Sequence, residues 1–465
     1  MTAGTPSDPL RVAIFGSGPA GFYAAEELLK QTGIHVAVDL FDRLPTPFGL
    51  VRGGVAPDHQ NIKVVIKVYE RCAARPRFRF LGNVSFGEQI TLAETLSHYH
   101  QALFCTGAPS DRRMGIPGED LPGSHPATTF VGWYNAHPDF IHERFDLSAE
   151  RVAVVGNGNV AMDVARILAA PTEELAKTDI ADYALQALEQ SRVKEIFLLG
   201  RRGPAQAAFT NPEIRELCEL PGVDLVVQPA ELELDPASQA FLASSKDPVH
   251  RRNVEILRAQ VPKGLGSQSR KIRARFCVSP VRIDGPDKVR SLRLEKNRLV
   301  DDGRGGLKAA GTGVFEDIAV DLVFRSIGYK GIGLKDVPFD ERSGVIPNAD
   351  GRVLDEPGGA VAPRLYVAGW IKRGPSGVIG TNKPDAIATA AKMLEDAPSV
   401  ATGPDFDPAP AAVDGLLKRK GAVPVSYADW KRLDQVEIAR GKEKNKPREK
   451  IATVAEMLAV IRGAG

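Results

Sequence analysis

The chain has only four cysteines in 465 residues, Cys72, Cys105, Cys218 and Cys277, and none forms a Cys-x-x-Cys pair. That lack excludes a dithiol redox centre, a cysteine-rich zinc site and a cysteine-bound iron–sulfur cluster within this sequence. No apolar run reaches the ~18 residues of a membrane span. The roughly ten residues ahead of the first apolar strand hold neither a signal-type core nor an Arg-rich amphipathic segment. Charge of one sign is also missing: 60 Lys and Arg against 58 Asp and Glu leave a formal net of +2, so any electrostatic docking surface must be local. Scattered thiols without a secretory leader imply buried, reduced cysteines, and a cytoplasmic location is expected.

Glycine, by contrast, is abundant and patterned. At 465 residues the chain exceeds one ordinary core, so two or three domains are expected. Val12-Ala-Ile-Phe-Gly16-Ser-Gly18-Pro19-Ala20-Gly21 recurs in altered form as Val152-Ala-Val-Val-Gly156-Asn157-Gly158-Asn159-Val160-Ala161. In each, an apolar strand runs into a glycine turn and then a helix. Bare backbone can thus approach a pyrophosphate whose charge meets the helix N-terminus. Two such turns in one chain suggest two dinucleotides held face to face and electron transfer between them.

The strand tips separate the two sites. The first reads as strand Arg11–Phe15, a helix from about Ala20 to Lys30, and strand Val36–Phe41 ending at Asp42, 21 residues beyond Gly21. An acid there accepts hydrogen bonds from ribose hydroxyls and repels a 2′-phosphate, which fits FAD or NAD; Asp39 is an alternative to Asp42. The second reads as strand Arg151–Val155, helix Met162–Ala170 and strand Glu195–Leu199, ending in Gly200-Arg201-Arg202-Gly203. Two guanidiniums favour the 2′-phosphate of NADP through charge-assisted hydrogen bonds.

Between these sites, Leu44 to His59 holds three prolines and three glycines in 16 residues and is expected to be irregular. So apolar a loop must pack on something, an isoalloxazine ring being one candidate. Leu103-Phe-Cys-Thr-Gly-Ala108 has the character of a chain leaving the first domain, and Arg325-Ser-Ile-Gly-Tyr329 of its return. From about Pro404 a linker, a polar stretch Arg440 to Lys450 and a short amphipathic helix around Val454 to Ile461 are expected to pack on the first domain. His98 and His100 are spaced unsuitably for a shared metal, and no metal site is expected.

These stretches, together with Val367-Ala-Gly-Trp370-Ile-Lys-Arg-Gly-Pro-Ser-Gly377-Val378-Ile379-Gly-Thr-Asn382, resemble the adrenodoxin reductase family, ferredoxin–NADP reductases on the glutathione-reductase plan. The resemblance runs from about Arg11 through the C-terminal helices. It implies an α/β protein with two Rossmann-like domains: an NADP domain, 109–324, inserted into a discontinuous FAD domain, 1–108 plus 325–465. By motif position it implies FAD contacts at the first glycine turn, Asp42, Leu50, Val84, Trp370 and Gly377-Val378-Ile379. NADP contacts would be Asn157, Gly158, Asn159, Val160, Arg201, Arg202, Glu213 and Gly377. His59 and Glu216 match a polar couple near the nicotinamide end, as proton carrier or ordinary hydrogen-bonded pair. Family members usually have glutamate where this chain has Asp42, one methylene shorter.

A monomer passing hydride from NADPH to FAD, and single electrons to an acidic ferredoxin, is the implied activity. Arg251 to Arg275 carries eight Lys and Arg against the single acid Glu255. Within it Arg251, Arg252, Arg258, Lys271, Arg273 and Arg275 are candidates for steering such a partner. The alternatives are a reductase subunit like the small chain of glutamate synthase, whose N-terminal cysteine clusters are absent here, a flavin monooxygenase-like enzyme, and a non-enzymatic NADPH sensor.

Overall fold

Each of the two glycine-turn strands seeds its own parallel sheet. The computed structural model describes residues 3–303 and 306–463. In the first sheet Leu10–Phe15 lies between Gln101–Phe104 and Val36–Phe41, with Phe78–Leu81 beyond, all parallel. Val361–Val367 extends the parallel set beside Gln101–Phe104, and Arg352–Leu354 and Asn348–Ala349 finish the edge antiparallel. In the second sheet Arg151–Val155 lies between Leu322–Arg325 and Glu195–Leu199. Arg270–Arg275, Val223–Val227 and Ser124–Pro126 complete six parallel strands. Every residue of Leu10–Phe15 and Val36–Phe41 is buried, the pattern of a sheet covered on both faces.

The chain leaves the first sheet through Ser110–Asp111 and returns through Tyr329–Lys330, and these two strands pair with each other. Both crossings thus run in one two-stranded ribbon, which makes the second unit an insertion into the first. Leu322–Arg325 still belongs to the second sheet. A three-stranded antiparallel sheet, Val278–Asp284, Ser291–Asp301 and Leu307–Ala319, is added to the inserted unit.

The C-terminal region is more regular than its composition suggested. Between the linker and the expected helix Val454–Ile461 it forms helices Pro410–Arg419 and Tyr427–Glu443, the second taking up the start of the polar stretch. The 17-residue helix opens on a capping box of Ser426 and Asp429 and buries Trp430, Leu433, Asp434, Glu437 and Gly441. That spacing is a helical stripe, but two of its members are acids, so apolar periodicity does not register it. Asp434 and Glu437 accept from Arg448, and Glu437 also accepts from Arg52.

Candidate active site at two nucleotide turns

In the first turn, glycine is required for two separate reasons. Gly16 has φ +104°, and a Cβ there would lie 2.4 Å from the Cys105 carbonyl oxygen; one on Gly21 would lie 2.1 Å from that of Gly16. Those two serve the fold. A Cβ on Gly18 would meet nothing within 4 Å, so this glycine leaves the helix entrance open to an approaching ligand. The helix, Pro19–Leu29, has proline in its first turn and no side-chain cap, leaving its first N–H groups for an anion. Ala20 is buried, its Cβ 2.8 Å from where one on Gly369 would stand.

Asp42, not Asp39, faces the first glycine turn. Its Oδ2 accepts from Ser17 N–H at 2.9 Å and Ser17 Oγ–H at 2.5 Å, and Oδ1 accepts from Leu44 N–H at 3.0 Å. A carboxylate has about four acceptor sites, so one is left for a ribose hydroxyl. Asp39 is buried in the opposite direction, between Arg11, Arg79 and the Tyr99 hydroxyl.

The proline-rich loop packs over this turn. Phe48 N–H donates to the Ser17 carbonyl at 3.0 Å, and a Cβ on Gly49 would lie 2.9 Å from Gly18 Cα. Phe48 adopts φ +85° while its ring packs against Phe22, Tyr69 and Trp430; buried aromatic contact holds this strained backbone in place. The loop is not wholly irregular: Leu50–Gly53 forms one helical turn, with Leu50 41% exposed beside the open glycine turn. Val84 is only 1% exposed, so what it can offer a ligand is main chain next to Asp42, whose carbonyl accepts its N–H.

The return segment closes the site. Gly369, at φ +80°, leads into the turn Trp370–Arg373; Trp370 stacks on Tyr329 with ring centroids 5.4 Å apart. The Trp370 Nε1–H is buried without a partner. Gly377 has φ +80°, so its backbone requires glycine independently of any ligand, and Val378 beside it is 51% exposed. Ile379 packs on the apolar core beneath. An uncapped helix entrance, an orphaned indole donor and exposed apolar side chains at Leu50 and Val378 fit a large flat ligand carrying a pyrophosphate, as FAD does.

The second turn repeats the design. Gly156, at φ +135°, would place a Cβ 2.1 Å from the Ser326 carbonyl oxygen, whereas one on Gly158 would meet nothing within 4 Å. Helix Asn159–Ala169 begins three residues earlier than its pattern suggested, is uncapped by a side chain, and buries Ala161 where the first turn has Gly21. Asn159 Oδ1 accepts from Thr210 N–H, Val160 packs on the core, and Asn157 Nδ2–H is buried without a partner. Arg201 and Arg202 have no acidic partner among the described residues; burial and the neighbouring Arg201 pull the Arg202 pKa down, a penalty an anion would relieve. These groups fit a 2′-phosphorylated nucleotide.

Where the two units meet lies a network the sequence showed only in part. His59 Nε2 and Glu216 Oε2 are 2.7 Å apart, as the matched couple implied. Glu213, expected to touch NADP, is buried against Arg166 at 3.1 Å. Arg166 also binds Asp58 and Asp163, and none of these three was singled out. An Asp and an Arg at i, i+3 within a buried helix were the available signal. Burial would lower the His59 pKa, but the Glu216 bond and the Asp163 and Glu213 carboxylates outweigh burial and Arg166, and it is raised. Burial and Asp163 push Glu213 up to about 7. Ligand atoms of His59, Glu213 and Glu216 lie within 4.8 Å of one another, a spacing a metal could use, but Arg166 already supplies the cation there.

Other expectations fare differently. Lys271, Arg273 and Arg275 sit on a strand and face Asp224, Glu195, and Glu231 with Glu316, so they are not a free basic face. Arg251, Arg252 and Arg258 are exposed on helix Pro248–Arg258 without acidic partners among the described residues. His98 Nδ1 bonds the Asp407 carbonyl oxygen, and His100 Nδ1 accepts from Arg11 N–H. All four cysteines are free, and burial pushes Cys218 and Cys277 up to about 11. Among the described residues no helix is long and apolar enough to cross a membrane.

An acid at one strand tip and two arginines at the other distinguish the two turns, and the fold with this pair of sites defines a flavoprotein reductase using FAD and a phosphorylated pyridine nucleotide. Residues 10–196 match the family model for pyridine nucleotide-disulphide oxidoreductases. Over 461 residues the chain is 45% identical to NADPH-ferredoxin reductase FprA of Mycobacterium tuberculosis, covering 97% of this chain and 99% of the relative. It is 41% identical over 469 residues to mitochondrial NADPH:adrenodoxin oxidoreductase of Arabidopsis thaliana, covering 97% and 95%. The solved structure of M. tuberculosis FprA in complex with NADPH superposes with a TM-score of 0.91 at 44% identity, covering 98% of this chain and all of that one. The chain belongs to the adrenodoxin reductase family.

Proposed function

We propose that the protein is a ferredoxin–NADP+ reductase that draws reducing equivalents from NADPH and releases them singly to an acidic iron–sulfur protein. The observation that carries this reading is the pair of open glycine turns, one tipped by Asp42 and the other by Arg201 and Arg202. When bound, FAD accepts hydride from NADPH and returns electrons one at a time, chemistry that no protein side chain supplies. The chain's own residues bind and orient. We divide it into an FAD part, 1–108 with 325–465, and an NADP part, 109–324.

Asp42 would take a ribose hydroxyl of FAD, the N–H groups behind Gly18 its pyrophosphate, and Trp370 Nε1–H a polar group of the cofactor. Arg201 and Arg202 would hold the 2′-phosphate of NADPH, with Asn157 to Val160 at its pyrophosphate. His59 holds a proton at Nε2 against Glu216, where the two parts meet. For the acceptor, Arg251, Arg252 and Arg258 are the exposed half of the basic run and our docking candidates. We take the protein to act as a monomer in the cytoplasm, a reading the four free thiols support.

The test is an absorption spectrum of the purified protein followed by NADPH titration and cytochrome c reduction with and without added ferredoxin. A flavin spectrum, bleaching by NADPH and ferredoxin-dependent turnover are expected; colourless protein that takes up no flavin refutes the reading.

A further inference from the structure

Arg166 is 3% exposed, yet four of its five N–H groups donate to carboxylate oxygens. Nε–H and one Nη2–H reach the two oxygens of Asp58 at 2.6 and 3.1 Å, and the other Nη2–H reaches Asp163 Oδ1 at 2.6 Å. Nη1 donates to Glu213 Oε2 at 3.1 Å and lies 3.4 Å from Glu216 Oε2, an ion pair without a hydrogen bond. Asp163 is on Arg166's own helix, Glu213 and Glu216 are on helix Asn211–Glu219, and Asp58 belongs to the first unit, in the loop just before His59.

The guanidinium therefore grips both ends of one hydrogen bond. His59 follows Asp58 in the chain, and Glu216, its partner at 2.7 Å, is itself against Nη1. Glu216 is 42% exposed, and its charged partners among the described residues are His59 and Arg166 alone. We propose that Arg166 is a positioning residue for hydride transfer, a planar fork that docks the NADP unit on the Asp58–His59 loop and sets the His59–Glu216 geometry. This deepens the reductase reading and rests on it.

Shape matters here as well as charge. Lysine presents three donors from one point and cannot meet four carboxylates spread over a plane. The titratable groups facing the fork are Asp58, His59, Asp163, Glu213 and Glu216, with Tyr134 behind them. A lysine there keeps one charge but cannot hold it against all four acids, so the carboxylates bear more strongly on His59, which then holds its proton to higher pH.

The experiment compares wild type with Arg166→Lys and Asp58→Asn, both flavin-loaded and full length, by stopped-flow flavin reduction at saturating NADPH across pH. For Arg166→Lys the limiting rate is expected to fall about tenfold to hundredfold, as misplacement of a reacting pair does. Affinity for NADP+, set by Arg201 and Arg202, should change little, and the pH profile should move. Asp58→Asn, which breaks the same dock but removes an acid and keeps the cation, should show a smaller fall in rate and a pH profile displaced the other way, toward lower pH, and it carries the test if Arg166→Lys fails to retain flavin. Wild-type rates and an unmoved pH profile in flavin-loaded variants overturn the proposal. Absence of flavin reduction by NADPH in the wild type overturns the reductase reading instead.

Discussion

Lys450 Nζ lies 3.2 Å from Asp179 Oδ2, an ion pair across the seam between the C-terminal segment and the inserted unit, with side-chain exposures of 1% and 3%. Lys63 of the first unit binds the same carboxylate at 2.6 Å, so one acid ties together three stretches of chain. Despite burial, the two ammonium groups lower the Asp179 pKa to about 2. Asp179→Asn leaves two buried lysines without their anion. It is expected to cost about 3–5 kcal/mol of stability by urea denaturation, and a loss below about 1 kcal/mol would contradict the tie.

Both lysines have lowered pKa values because burial outweighs that shared carboxylate. A lysine whose pKa is lower in the folded state lacks its full stabilising effect near neutrality. It regains it as pH rises from the depressed value toward the unfolded value near about 10.4. Lys450→Met removes one such amine and leaves the Lys63–Asp179 pair. The rise in denaturation midpoint from about pH 7 to about pH 10 should be shallower in this variant. Equal slopes in the two proteins count against the argument.

Gly16 and Gly18 are two residues apart and should fail differently. Gly16→Ala pushes a Cβ into the Cys105 carbonyl at a positive φ and is expected to give little folded protein. Gly18→Ala adds a methyl in open space, so the chain folds but the pyrophosphate is held off, and flavin affinity drops more than about tenfold. Circular dichroism and the flavin-to-protein absorbance ratio separate the two effects.

Removing Arg202 should raise the KM for NADPH about tenfold to hundredfold and leave NADH nearly unaffected, since the contact proposed for it is to the 2′-phosphate alone. Steady-state kinetics with both nucleotides measure this. Unchanged discrimination assigns the basic turn to solvent.

Replacing Arg251 and Arg252 by alanine removes two exposed positive charges from one helix. The salt dependence of ferredoxin reduction should flatten while reduction of a small neutral acceptor is unaltered. An unchanged salt slope moves the docking surface elsewhere.

The sequence by itself determined both nucleotide turns and the α/β architecture, and it separated a site for FAD or NAD from one for NADP; the choice of FAD came with the resemblance. What it determined is encoded locally, in glycine spacing, buried strands and one charged strand tip, within a single strand–turn–helix unit. It also placed His59 with Glu216, although only as a resemblance. Tertiary structure alone showed that Asp42 faces Ser17 and Asp39 does not, because the two acids are three residues apart on and just beyond one strand and only packing shows which one turns to the glycine loop. It also split the basic run into paired strand residues and an open helix face, since the acids that neutralise Arg273 and Arg275 come from distant segments. The Arg166 fork and the Lys450–Asp179–Lys63 tie were equally hidden. A buried charge resembles a surface charge in sequence, and its partners are named only once the chain has folded around it.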